Sequence, residues 1–201
     1  MTDEEPRDLW SWVEWRAART PELPLAFDEH DRRLTFGELR ERGERVAAGL
    51  VQAGMRPGAR IAWILPTRLE AMLLTVALAR LGCEQVPLIP VYGPREIGFI
   101  LRQAAPEWVV VPGIWNGTDY EAMIERLQIE DSPIEDARPA HRQTPRRLRA
   151  SPDLPEADTA ALPAFEAPAD DPIRWIFYTS GTTSAPKGAL HSDGTLQSAA
   201  I

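Results

Sequence analysis

The feature that most constrains this chain is an alternation of two patterns. Short runs that are wholly or mostly apolar, Ile61 to Leu65, Cys83 to Leu88 (with Glu84 and Gln85), Trp108 to Val111 and Ile173 to Tyr178 (with Arg174), are separated by stretches with helical apolar spacing. Strands apolar at every position are buried on both faces, and strands joined through helices pair in parallel. The pattern predicts an α/β fold: a partial parallel sheet with helices on both faces. Strand order is not readable from it.

The helices carry their own punctuation. Asp8 to Arg19 places Trp10, Val13 and Ala17 on one stripe, and a small hairpin is expected on either side of Asp28 to Asp31. Thr35 and Glu38 stand at the two positions of a capping box, with Leu34 and Leu39 at the staple positions; Gly54 is placed to end that helix. Further helices are expected from Arg68 to Leu81, closed by Gly82, from Pro94 to Ala105, and from Thr118 to Leu127.

Three parts are expected along the chain: an α/β subdomain over 1–127, a Pro-rich loop or linker over 128–172, and over 173–201 a strand, a loop and the start of the next helix. The middle part holds eight of the 19 prolines, no glycine, one aromatic residue (Phe165) and an Arg-rich patch from Arg142 to Arg149. It reads as a solvated loop without a strand.

The formal net charge of -8 argues against a nucleic-acid surface and a polybasic membrane anchor. No apolar run is long enough for a membrane span, and the acidic start is unlike a signal peptide, so a cytoplasmic protein is expected. The single cysteine, Cys83, leaves no intrachain disulfide, and His30, His141 and His191 have no metal-ligand spacing. Loop positions suit His30 and His141, whereas His191 follows a loop of greater interest.

Of the 22 basic residues, only Lys187 is a lysine. It closes the run Tyr178-Thr-Ser-Gly-Thr-Thr-Ser-Ala-Pro-Lys-Gly188, which leaves the end of a predicted buried strand. Small side chains let consecutive backbone N–H groups converge on phosphate oxygens. The hydroxyls of Thr179, Ser180, Thr182 and Thr183 add donors and can accept a phosphate-bound Mg²⁺, while Lys187 supplies a mobile positive charge. This is not the Walker loop: in that template Pro186 would occupy a glycine position and Gly188 the metal-ligating hydroxyl position.

The same run resembles the phosphate-binding signature of the acyl-adenylate-forming superfamily, and its flanks look most like bacterial acyl-CoA synthetases of the cyclohexanecarboxylate or medium-chain type. Ser184 stands where glycine is common, and Asp193 where many relatives carry a second histidine, which would put a negative charge near the loop's exit. Leu34 to Leu39, the turn from Gly54 to Gly58, the strand from Ile61, and the stretch from Arg80 to Pro90 are also similar to the opening of such enzymes. The resemblance covers roughly 20–127 and 170–201. Relatives usually have one more strand after the helix near Leu127, and none is legible before Asp170.

The resemblance implies the amino-terminal part of the large domain of an acyl-CoA synthetase-like fold. It implies ATP, Mg²⁺ and a carboxylic acid as reactants of adenylate formation, with coenzyme A as the later acceptor. By analogy Thr179, Ser180, Gly181, Thr182, Thr183 and Lys187 would hold the departing phosphates. Catalytic residues are expected downstream of these, so the chain is expected not to catalyse alone; a non-catalytic phosphate-binding module is the alternative. The strand from Ile173 is expected to present an unpaired edge that favours self-association.

Overall fold

The computed structural model describes residues 6–127, 144–150, 153–179 and 186–199. It opens with helix α1 (Leu9–Arg19), the hairpin β1 (Pro24–Phe27) and β2 (Arg33–Thr35), and helix α2 (Phe36–Gln52). Strand β3 (Arg60–Trp63), helix α3 (Leu69–Arg80), strand β4 (Glu84–Pro87), helix α4 (Pro94–Ala104) and strand β5 (Trp108–Val111) follow. A short hairpin, β6 (Ile114–Trp115) and β7 (Thr118–Asp119), leads into helix α5 (Tyr120–Arg126). The rest comprises β8 (Arg146–Arg149), a 3₁₀ turn (Thr159–Ala161), β9 (Ile173–Thr179), β10 (Lys187–Ser192) and helix α6 (Asp193–Ala199).

Six strands form one sheet in the order β10-β9-β4-β3-β5-β8. All neighbours are parallel except β10, which runs antiparallel to β9. Helices cover both faces, as the apolar runs require. Trp108 and Val110 of β5 join the core beneath α1, α2 and α3, whereas Val109 and Val111 turn to the core beneath α4 and α5. The expected layers are therefore present, with alternate residues of each strand feeding alternate cores.

Helix α2 starts as its capping box dictates. The Thr35 hydroxyl accepts from the Glu38 N–H at 3.2 Å, and the Glu38 carboxylate accepts from the Thr35 N–H at 2.8 Å. That last bond is the main cause holding the Glu38 carboxyl below its ordinary value of 4.5. Its contribution to stability is complete above the ordinary value and is lost as pH falls through the lowered one. Thr35→Ala should cost about 1 kcal/mol, read as a lower urea midpoint with unchanged slope. Gly54, at φ +98°, follows the helix as expected.

Three expectations are corrected. The first concerns 128–172, read as strandless. Arg146–Arg149 form β8, paired in parallel with β5 from Trp108 opposite Arg146 to Val111 opposite Arg149. An edge strand needs only one apolar side chain on the core, here Leu148, so no apolar run marks it. Its arginines are exposed, yet each touches the protein surface: Arg146 lies 4.0 Å from the centre of the Trp108 ring, and Arg147 and Arg149 approach Glu125 and Glu121 at 3.8 and 3.6 Å. Arg142 and His141 lie outside the described residues.

The second correction concerns β9, which has neighbours on both flanks. The chain folds back and supplies β10 itself, so at this end of the sheet the outermost strand among the described residues is β10. The third concerns Thr118 to Leu127, where the helix begins only at Tyr120. Asn116 and Gly117 both have positive φ (48° and 77°) and close the β6–β7 hairpin first. Asn-Gly is the strongest short hairpin signal a sequence offers, and it was there to be seen.

Candidate functional site

The hydroxyl-rich run is the connection of a β-hairpin. In the β9–β10 register Thr179 stands opposite Lys187, Tyr178 opposite Gly188 and Phe177 opposite Ala189. The two ends of the loop are thereby held side by side, and both Thr179 and Lys187 are exposed. Ser180, Gly181, Thr182 and Thr183 lie outside the described residues. Because β9 is parallel to β4, and β4 to β3, Thr179 sits at the carboxyl edge of the sheet. Ligands of open α/β sheets gather along that edge.

Local packing explains how the hairpin mouth is shaped. A side chain at Gly188 would bring its Cβ to 3.1 Å from the Tyr178 ring and 3.2 Å from Ile176. Glycine there lets the ring lie across the strand. Tyr178 is buried among residues of α4 and α5, and burial pushes its phenol up to about 12. Its backbone carbonyl accepts from the hydroxyl of Tyr92 at 3.1 Å, a residue that sequence patterning did not single out. Nothing in the local sequence of Tyr92 marks a contact with a residue so far along the chain.

Asp193 does not sit at the loop's exit. It follows the far end of β10, where its carboxylate accepts from the Trp175 indole N–H at 2.6 Å and from the Leu9 N–H at 3.0 Å. It ties the start of α1 to the hairpin instead of placing charge near phosphate. His191 likewise stands opposite Trp175, away from the mouth, packed edge-on to Phe177 with ring centres 5.8 Å apart. His30 is exposed in its turn. Cys83 is buried, and burial pushes its thiol up to about 12, so it stays un-ionised and unreactive. Among the described residues no three His, Cys, Asp or Glu side chains gather as a metal site, and no helix is long and apolar enough to cross a membrane.

An exposed lysine facing a threonine across a strand-to-strand loop of hydroxyl residues suits an anion. Residues 13–201 match the family model of the AMP-binding enzyme. The chain belongs to the AMP-binding enzyme family. An uncharacterized protein of Pseudomonas aeruginosa is 32% identical over 174 residues, which is 81% of this chain and 27% of that protein. The long-chain-fatty-acid–CoA ligase FadD13 of Mycobacterium tuberculosis is 29% identical over 92% of this chain and 35% of its own length. The chain thus spans only about a quarter to a third of the length of these two curated relatives.

Among solved structures, O-succinylbenzoate coenzyme A synthetase of Bacillus subtilis, in complex with AMP, superposes with a TM-score of 0.74 at 24% identity, over 96% of this chain and 44% of that one. A fatty acyl CoA synthetase of Mycobacterium tuberculosis gives 0.71 at 23% identity, over 95% of this chain and 36% of that one. The AMP-binding family member described here therefore shares the fold of the amino-terminal portions of acyl-CoA synthetases. Its homologues include acyl-CoA ligases.

Proposed function

We propose that this chain holds the phosphates of ATP during the activation of a carboxylic acid, as the amino-terminal part of an AMP-forming acid–CoA ligase. The single observation that carries this reading is the pairing of Thr179 with Lys187 at the mouth of the hairpin. It brings the two described ends of the loop together at the sheet edge where nucleotides bind. In this reading Thr179, Ser180, Gly181, Thr182, Thr183 and Lys187 surround the β- and γ-phosphates.

The chemistry asked of them is charge neutralisation and positioning. When a carboxylate attacks the α-phosphorus, the bond to the bridging oxygen breaks and pyrophosphate leaves with the negative charge. Backbone N–H groups and the Lys187 ammonium stabilise that charge as it develops. The threonine hydroxyls would offer oxygen ligands to a magnesium ion bound to the triphosphate, which would supply further charge neutralisation. Transfer of the acyl group to coenzyme A belongs to the same proposal, and a cytoplasmic location goes with these substrates.

Inorganic pyrophosphate is the probe that isolates the loop from the rest of the substrate. Titrated into the isotope-labelled chain, it should move the amide signals of Thr179, Lys187 and the residues between them. A folded chain whose signals stay in place would reject the reading. A non-catalytic phosphate-binding module would respond to the same titration, and pyrophosphate exchange with a panel of carboxylic acids separates the two. For self-association we propose the free flank of β10. Size-exclusion elution that is independent of concentration would count against it.

A further inference from the structure

The flank of β9 that faces β4 runs out of strand partners just before the loop. β4 and β9 are in register at Gln85 opposite Trp175. Two residues further, the same register brings Pro87 beside Phe177, and proline has no N–H to donate. β4 ends there. The next carbonyl of β9 on that side needs a donor from elsewhere.

Tyr92 is that donor. Its hydroxyl lies 3.1 Å from the Tyr178 carbonyl oxygen. Tyr92 closes a tight turn, its own N–H donating to the Ile89 carbonyl at 3.1 Å. The same turn is gripped from its other side. The Tyr120 hydroxyl donates to the Pro90 carbonyl at 2.6 Å. Tyr120 is only 3% exposed, and its backbone N–H is bonded to the Gly113 carbonyl at 3.0 Å. Two phenols thus connect α5 to the turn and the turn to the root of the loop.

A peptide unit is planar, so holding the Tyr178 carbonyl also sets the direction of the Thr179 N–H, which points the opposite way. That N–H faces β10, where Thr179 stands opposite Lys187, so the same peptide orients the strand pair from which the loop departs and to which its lysine returns. We propose that Tyr92 is a positioning residue for the phosphate loop: by holding the Tyr178 carbonyl it sets how the chain leaves β9 into 179–187, while Tyr120 holds the turn that carries it. This inference rests on the phosphate reading of the loop.

Pyrophosphate titration of the full chain, wild type beside Tyr92→Phe and Tyr120→Phe, tests it. Tyr92→Phe should weaken binding about three- to tenfold, the share of one neutral hydrogen bond, with little change in melting temperature. The Thr179 amide signal should move in the unliganded Tyr92→Phe protein. Tyr120→Phe should weaken binding in the same direction, and it decides the matter should Tyr92→Phe fold poorly. If the wild type binds pyrophosphate and both variants bind within about twofold of it, the positioning role is overturned although the loop reading stands. If the wild type itself binds none, the loop reading fails and the positioning role falls with it.

Discussion

Lys187→Ala should weaken pyrophosphate binding by about one to two orders of magnitude, because a hydrogen bond from a charged group contributes about 1.5 to 3 kcal/mol. The chain should keep its fold. Lys187 is exposed, and its place in β10 is held by the backbone ladder to Thr179. Calorimetry on the wild type and the variant, with circular dichroism as the control for folding, gives the answer. Lys187→Arg should recover part of the loss only. A guanidinium keeps the charge but spreads it over a wide planar fork that a loop built around a compact ammonium does not match. Equal affinity in wild type and Lys187→Ala would remove the lysine from the site.

Gly49→Ala should destabilise the chain by about 1 to 3 kcal/mol, although intrinsic helix preference predicts a gain of about 0.5 to 1 kcal/mol for the same change. Gly49 lies inside α2, a position where alanine ordinarily improves a helix. Here the segment after β8 crosses directly over it. A Cβ would overlap the Pro155 carbonyl oxygen, approach its carbon to 2.5 Å and the Glu156 nitrogen to 3.0 Å. The segment is pinned in that position. The Ala157 N–H donates to the Arg45 carbonyl at 3.0 Å, and the Glu156 carboxylate receives Arg45 at 2.8 Å and Arg42 at 3.3 Å. The backbone must lift away to admit a methyl group. A raised urea midpoint would show that this crossing is not formed in solution.

The contrast at Gly49 illustrates what was legible in advance. α2 itself was, because a capping box, a helical stripe and a terminating glycine are local signals that act within a few residues. The layered α/β class was also legible, since a strand buried on both faces leaves a continuous apolar run. The loop proposed to hold phosphate was read in the same local way, from hydroxyls and a solitary lysine that stand in one stretch of chain. Strand β8 was hidden because an edge strand is specified by the ladder of its neighbour and not by its own side chains. Arg146, Arg147 and Arg149 are exposed, as a solvated patch would be, and only the fold shows that Trp108, Glu125 and Glu121 lie within their reach. Asp193 was read from its distance along the chain to the loop. An antiparallel strand carried it to the opposite end of the hairpin, where it meets Trp175 and Leu9.

Sequence alone determined the class of fold and the helix boundaries with strong caps. Those depend on side-chain chemistry and on interactions that span a turn or two. Tertiary structure decided the rest. It set the strand order, the pairing that closes β9 on both flanks, the crossing over Gly49, and the phenol of Tyr92 on the Tyr178 carbonyl. Each joins groups far apart in the chain through backbone atoms, and backbone atoms are the same whatever the residue, so no local pattern announces them.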